Sequence, residues 1–152
     1  LEGAYTTVGN YPDEDLLKLV AAASDALKIS GDDVVRWFGR EGLPLLYGLY
    51  PQFFEGHNTA LAFVLTLNNV IHPEVRKLFP GAYVPDFKFQ PEGEDALTFS
   101  YESHRRLCSF AEGLLEGAAA HYDQTVEIEQ IECQKRGDPR CVIHCRFSKR
   151  AA

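Results

Sequence analysis

The sequence has no methionine, a single tryptophan and no long apolar run. A membrane-spanning helix needs about 20 consecutive apolar residues, so the lack of such a run argues against a membrane protein. Basic side chains are also scarce, because 15 lysines and arginines stand against 22 aspartates and glutamates and leave a formal net charge of −7. This balance argues against nucleic acid and anionic membranes as partners.

Targeting and catalytic signals are missing as well. The chain begins at Leu1 without an initiator methionine and shows no signal peptide, so we expect a processed or recombinant piece of a cytoplasmic protein. It contains no glycine-rich phosphate-binding loop and no Ser-His-Asp or Cys-His arrangement with sensible placement. The sequence therefore predicts a domain that is not itself an enzyme.

The composition is sufficient for a hydrophobic core. Hydrophobic residues make up 45% of the 152 residues and aromatic residues 12%, which predicts one globular domain over residues 1–152. Helical patterns dominate residues 1–80 and strand patterns residues 81–150. We therefore predict an α+β fold, in which a helical part packs on a mainly antiparallel, roughly four-stranded sheet with a crossing helix.

Glycines and prolines divide the helical half. Apolar residues at helical spacing predict a first helix over residues 13–27, and Gly31-Asp32-Asp33 begins a second. Gly42-Leu43-Pro44 predicts a break before a separate short helix at residues 45–50. A largely buried apolar helix is predicted over residues 59–72.

The second half alternates between apolar and polar residues. This pattern predicts a strand with Phe87 and Phe89 and a second strand that ends near Ser103. A helix over residues 105–122 follows, and two strands at 125–133 and 141–147 close the chain as a hairpin. The predicted inner stripe of that helix is Leu107, Phe110, Ala111, Leu114, Ala118 and Tyr122.

Tyr101, Ser103 and Arg105 are the candidate anion-binding residues. If the strand continues through them, all three side chains point to one face, because side chains repeat every two residues. A guanidinium binds a carboxylate through two parallel N–H groups, and two hydroxyl groups can supply the remaining hydrogen bonds to the anion. The alternative is an ordinary polar strand edge that leads into a helix.

His72 is the candidate metal ligand. It ends the apolar segment and precedes Pro73, which disfavours helix at His72 and predicts that the imidazole lies at a helix junction. A neutral, oriented imidazole is a good axial ligand for haem iron. Most histidines in apolar surroundings are, however, core or capping residues.

Together these residues resemble the haem-nitric oxide/oxygen-binding (H-NOX) domain family. The resemblance rests on the histidine with its following amphipathic segment, on Gly81-Ala82-Tyr83-Val84-Pro85, and on the Tyr-x-Ser-x-Arg motif at residues 101–105. The Gly-Leu-Leu-Glu-Gly segment of the next helix and the closing hairpin also match, so the resemblance covers nearly the whole chain. It implies haem b as the cofactor, held between the helical part and the sheet.

The resemblance also implies roles for individual residues. His72 would be the iron ligand, and Tyr101, Ser103 and Arg105 would bind the two propionates. Pro85 would press on the porphyrin and distort it.

Ligand choice is a further implication of the resemblance. Family members that hold oxygen use a tyrosine where this chain has Phe110, and Leu43 and Leu46 nearby are non-donors too. Nitric oxide and carbon monoxide are therefore the expected ligands. Nitric oxide would release His72 and shift the helical part, which would regulate a histidine kinase or a diguanylate cyclase. Family members carry further helices before the position of Leu1, so a more open pocket is expected.

The cysteines form a second candidate site. A hairpin that returns antiparallel brings Cys133 and Cys141 together, as two thiolates of a zinc site require, and Cys108 follows the anion-binding residues. Cys145 is too far along its strand to join them. Some H-NOX members are similar, but they carry a histidine where this chain has Gln130. The alternative is that the cysteines are small buried core residues.

The remaining histidines are not predicted to belong to a site. His57, His104 and His121 are predicted to lie at the surface, and His144 on the opposite face of its strand from Cys145. Two alternative functions remain: a zinc-thiolate redox sensor on the same fold, and a small-ligand-binding module like the vinyl-reductase-type domains. An absorption spectrum together with a metal assay would separate them from a haem sensor.

Overall fold

The computed structural model describes residues 3–6 and 9–151; Leu1, on which the expectation of a processed start rests, lies outside them. The helices are α1 (Asp13–Leu27), α2 (Gly31–Leu49), α3 (Ala60–Val64), α4 (His72–Leu78) and α5 (Cys108–His121). The strands are β1 (Phe87–Glu92), β2 (Ala96–Tyr101), β3 (Gln124–Glu132) and β4 (Cys141–Lys149). This order confirms the predicted α+β class. None of the helices in the described residues is long and apolar enough to cross a membrane.

The four strands form one antiparallel sheet in the order β1-β2-β4-β3. Leu97, Ile143 and Phe147 on its inner face are almost completely buried. A register shift between Gln130 and Glu132 interrupts the pairing of β3 with β4 next to the hairpin turn. The sheet thus provides one wall of the core, and α5 crosses over to it from the helical part.

Helices α2 and α5 pack at backbone contact. A Cβ atom built on Gly113 would lie 2.0 Å from the carbonyl oxygen of Arg36, so a larger residue would force the helices apart. Arg36 also donates to Glu116 at 2.6 Å and pairs with Glu112 at 3.1 Å. This closely packed pair of helices covers the core on the side opposite the sheet.

The predicted break at Pro44 is wrong, because α2 continues through it to Leu49. Because proline has no N–H, the carbonyl four residues earlier, here that of Arg40, loses its helical hydrogen bond. That carbonyl lies against α5, where a Cβ on Gly117 would come within 2.9 Å of it. Contact with α5 therefore holds the helix through the proline. The start of α2 is capped by Ser30, whose Oγ accepts a bond from the Asp33 N–H at 3.1 Å.

The predicted single helix over residues 59–72 is also wrong. It is divided into α3, a π-helical segment at Leu67–Ile71, and α4. His72 does lie at a junction, as predicted, but its backbone is helical, with φ −63° and ψ −39°. The wider π turn, closed by a bond from the Ile71 N–H to the Thr66 carbonyl at 3.2 Å, allows His72 and Pro73 to begin α4.

The strand before α5 ends earlier than predicted. β2 stops at Tyr101 rather than near Ser103, and α5 begins at Cys108 rather than at Arg105. Between them the chain turns, and Arg106 adopts a left-handed φ of +51°. The predicted inner stripe of α5 is the face towards the main cavity described below, with Tyr122 as the exception.

Candidate functional site

A cavity of about 470 Å³ lies between the helices and the sheet. Its walls are formed by α2, α3, α4, α5, β1 and β2, and they are mostly aliphatic and aromatic. Volumes of this size are typical of sites for cofactors and other small molecules. The predicted residues His72, Pro85, Tyr101, Ser103, Arg105, Phe110, Leu43 and Leu46 all line it.

His72 brings a neutral imidazole to this cavity. Its Nδ1 atom is buried and has no hydrogen-bond partner among the described residues. Burial, and secondly the positive charge of Arg76, hold the pKa of His72 below its ordinary value; the Pro85 backbone beside the ring offsets part of this. The ring packs on that of Phe87, with 5.7 Å between the centroids. The imidazole is therefore unprotonated at neutral pH, as a metal ligand must be.

Tyr101, Ser103 and Arg105 meet at the cavity, although the strand does not reach Arg105. The Ser103 Oγ accepts a bond from the Arg105 N–H at 3.2 Å, which forms a tight turn directly after β2. Tyr101 and Ser103 are buried, and burial raises the pKa of the Tyr101 phenol. The turn, rather than an extended strand, thus brings the three side chains together.

The guanidinium of Arg105 is already bound to a carboxylate of this chain. Its Nε donates to the Oδ2 of Asp13 at 2.9 Å, and its Cζ lies 5.9 Å from the ring centre of Tyr83. Neither Asp13 nor Tyr83 was predicted as a site residue. Arg105, which lines the cavity, thus pairs with a carboxylate at the protein surface.

Tyr50 is another residue that the sequence reasoning missed. It lines the cavity and lies seven residues after Leu43 and four after Leu46, which is the spacing of one helical face. That spacing could have identified it. Directly after α2, the cavity wall therefore carries a tyrosine in addition to the two predicted non-donors.

The donor set of the cavity fits haem. The half-buried imidazole of His72, with its Nδ1 unpartnered among the described residues, supplies an axial ligand. The aromatic and aliphatic walls suit a porphyrin, and Arg105 with two hydroxyl groups suits carboxylates. Comparison with known families agrees: the model of the haem-NO-binding (HNOB) family matches residues 1–130. The chain belongs to this family. A search of curated protein sequences gives no match.

Solved H-NOX structures share the fold of this HNOB domain. An H-NOX protein from Shewanella oneidensis in the Fe(II)NO state is 28% identical, with a TM-score of 0.91 over 97% of this chain and 82% of that one. The unliganded Fe(II) H-NOX protein from K. algicida is 25% identical, with a TM-score of 0.86 over 99% and 81%. A mutant of T. tengcongensis H-NOX, 22% identical with a TM-score of 0.81 over 99% and 82%, shows the shared fold alone.

The thiol cluster of the HNOB domain lies outside this cavity. The Sγ atoms of Cys108, Cys133 and Cys141 lie within 4.8 Å of one another, and those of Cys108 and Cys133 are 3.9 Å apart. No other histidine, cysteine or acidic residue of the described chain joins this group. Gln130 and Lys135 line the adjoining pocket with Cys108 and Cys133. The structure thus brings the three predicted cysteines together, and zinc binding by them stays a prediction.

The surroundings of the cluster favour different charge states for its thiols. Burial raises the pKa of Cys133, but backbone N–H groups of Lys135 and Arg136 and the neighbouring thiols outweigh burial and lower it. Burial raises the pKa of Cys141 to about 12, and likewise that of Cys145, which lies outside the group. The thiolate form is therefore favoured at Cys133 and disfavoured at Cys141.

The remaining histidines do not complete either site. His144 bonds to the Thr98 hydroxyl at 3.0 Å on the other face of the sheet, so it cannot act as the fourth ligand of the thiol cluster. His104 and His121 are exposed, as predicted, whereas His57 is half-buried against Phe63.

Proposed function

We propose that this H-NOX domain binds haem b through His72 and senses nitric oxide for a signalling partner. The observation that supports this most directly is the shared cavity, in which a neutral imidazole, apolar walls and the Tyr101, Ser103 and Arg105 set occur together. Haem requires each of these three features. When bound, it supplies an iron that takes diatomic ligands such as nitric oxide and carbon monoxide.

The residues of the chain would divide the work of holding this cofactor. His72 offers an uncharged nitrogen donor from the start of α4. Arg105 would hold a propionate as it now holds Asp13, while Tyr101 and Ser103 would donate from buried positions. Pro85, next to His72 in the cavity wall, would press on the porphyrin and distort it from planarity.

Signal transmission would begin at the junction that carries His72. Because the imidazole is attached to the first residue of α4, its displacement moves the backbone directly after the π-helical segment. Such segments often occur at functional sites. The net charge of −7 suits a basic patch on an effector, and we propose a histidine kinase or a diguanylate cyclase. The four free cysteines favour a reducing, cytoplasmic location.

Haem binding is tested with purified protein reconstituted with ferrous haem under anaerobic conditions. The wild type should give a Soret band that shifts with nitric oxide. The His72→Gly variant should retain haem only when free imidazole is supplied, whereas His57→Gly, whose ring does not line the cavity, should behave as the wild type. An unchanged spectrum of His72→Gly without imidazole would show that His72 is not the ligand.

We further propose that the thiol cluster binds zinc incompletely. Structural zinc takes four nitrogen or sulfur ligands, and the group here supplies three sulfurs. The fourth position would fall to water or weakly to the Gln130 amide, which lines the adjoining pocket. If the protein takes up zinc but no haem, the function is instead that of a zinc-thiolate redox sensor.

Zinc retention under chelator challenge tests this second proposal. Gln130→His should retain zinc at least tenfold longer than the wild type, because the imidazole completes the ligand set. Cys145→Ser is the matched control, since Cys145 is equally buried but outside the group, and it should not change retention. Equal, near-stoichiometric retention in wild type and Gln130→His would refute incomplete coordination.

A further inference from the structure

Asn68 makes a two-bond contact with strand β1 that the roles assigned above do not use. Its Nδ2 donates to the carbonyl oxygen of Phe87 at 2.5 Å, and the Phe87 N–H donates to its Oδ1 at 3.2 Å. Because β1 is an edge strand, these peptide groups have no strand beside them on their outer side. The carboxamide supplies both the donor and the acceptor that a further strand would provide.

The residue fixed in this way contacts both parts of the candidate haem site. The ring of Phe87 packs on the imidazole of His72, with 5.7 Å between the centroids and 30° between the planes. It also stacks on the ring of Tyr101 at 5.7 Å and 28°. Phe87 is therefore a direct packing link between the metal ligand and the anion-binding residues.

Two neighbours of the His72 ring bear on its orientation: the Pro85 backbone beside it and the ring of Phe87. The Nδ1 atom of His72 is buried without a partner in the described part of the chain. This nitrogen therefore makes no hydrogen bond to the described residues that would fix the ring, and packing on Phe87 contributes to the orientation of the imidazole.

The position of Asn68 in the chain strengthens this coupling. Asn68 belongs to the π-helical segment Leu67–Ile71, which ends directly before His72. The same short segment thus carries both the imidazole and the amide that holds its packing partner. Neighbouring Asn69 is exposed and makes no side-chain hydrogen bond with the described residues, so it provides a matched control.

We propose that Asn68 is a positioning residue for His72: its carboxamide anchors the Phe87 backbone at the sheet edge and thereby holds the Phe87 ring against the imidazole. This packing acts together with the Pro85 backbone, which lies on the same imidazole. The inference rests on the proposed function for its biological meaning, but the packing itself can be tested without haem.

The first measurement uses the haem-free protein. Wild type and Asn69→Ala should show an NMR cross peak between the His72 and Phe87 rings, and Asn68→Ala should lose it. The second uses the ferrous haem protein, in which the iron–histidine stretching band should broaden and shift in Asn68→Ala alone. Haem should dissociate from that variant about tenfold faster, as expected for the loss of one to two buried hydrogen bonds.

The outcomes separate the two proposals. If the wild type takes up no haem, the proposed function fails, while the ring cross peak still tests the role of Asn68. An unchanged cross peak or an unchanged stretching band in Asn68→Ala overturns the inference. If Asn68→Ala does not fold, Asn68→Asp replaces it, because the carboxylate keeps the bond from the Phe87 N–H and loses the one to the Phe87 carbonyl. It should show the same changes.

Discussion

Arg105 and Ser103 contribute different chemistry to the cavity wall. A charge-assisted hydrogen bond is about twice as strong as a neutral one, so Arg105→Ala should speed haem loss more than Ser103→Ala. The Ser103 Oγ also accepts a hydrogen bond from the Arg105 N–H, so Ser103→Ala should loosen the turn after β2 as well. Stopped-flow transfer of haem to an apomyoglobin acceptor measures both rates. Equal rates for the two variants would count against a propionate role for Arg105.

Phe110 lies where the cavity could offer a hydrogen bond to a bound ligand. Oxygen on ferrous haem carries partial negative charge and needs a donor, whereas carbon monoxide depends on one far less. With Leu43, Leu46 and Phe110 in the wall, the reduced protein should not hold oxygen in air, and Phe110→Tyr should gain this ability. The test is the visible spectrum after exposure to air. Tyr50→Phe is the necessary control, since oxygen retention that disappears in this variant would identify Tyr50 as a donor.

The side chains of the site could be predicted from the sequence better than their geometry. Tyr101, Ser103 and Arg105 were selected by a period of two, but a turn brings them together. The bond from the Arg105 N–H to the Ser103 Oγ competes with continuation of the strand, and the alternation of apolar and polar residues gives no sign of this bond. Asp13, 92 residues from its partner Arg105, could not be found locally at all.

At the scale of elements, the α2–α5 contact depends on glycine. Gly113→Ala should destabilise the protein by about 1–3 kcal/mol, because its Cβ would overlap the Arg36 carbonyl and force the helices apart. Gly42→Ala is the matched control within α2, where nothing lies within 4 Å of an added Cβ. It should stabilise the protein by about 0.5–1 kcal/mol through helix propensity. Urea unfolding of the haem-free protein measures both, and equal effects would contradict the packing argument.

Element types were predicted well and element boundaries poorly, for the same physical reason. Proline at position 44 breaks an isolated helix, but the packed surface of α5 stabilises the turn around it. Conversely, the apolar run after Thr59 has no internal breaker before Pro73, yet it divides at a π-helical segment. In both cases tertiary contacts outweigh local propensity.

For the whole molecule, the half-buried His72 predicts that stability depends on pH. Its pKa in the folded protein lies below the ordinary value of 6.5, so the unfolded chain binds more protons just below that pH. The stability that neutral His72 contributes is therefore present above pH 6.5 and is lost as the pH falls through the folded pKa. Unfolding midpoints of the haem-free protein between pH 5.0 and 7.5 should fall on acidification, and less so in His72→Gly. Parallel curves would contradict this.

The first helix is attached weakly to the rest of the molecule. No residue of α1 is buried, it packs mainly on α2, and its first residue is held by the ion pair between Asp13 and Arg105. Such an element opens with a small free energy, independently of global unfolding. Its amide protons should exchange with solvent long before those of α5 or β4. An anion that draws Arg105 away from Asp13 would release the start of α1. A protease would then cleave the chain near α1 faster when the cavity is occupied than when it is empty.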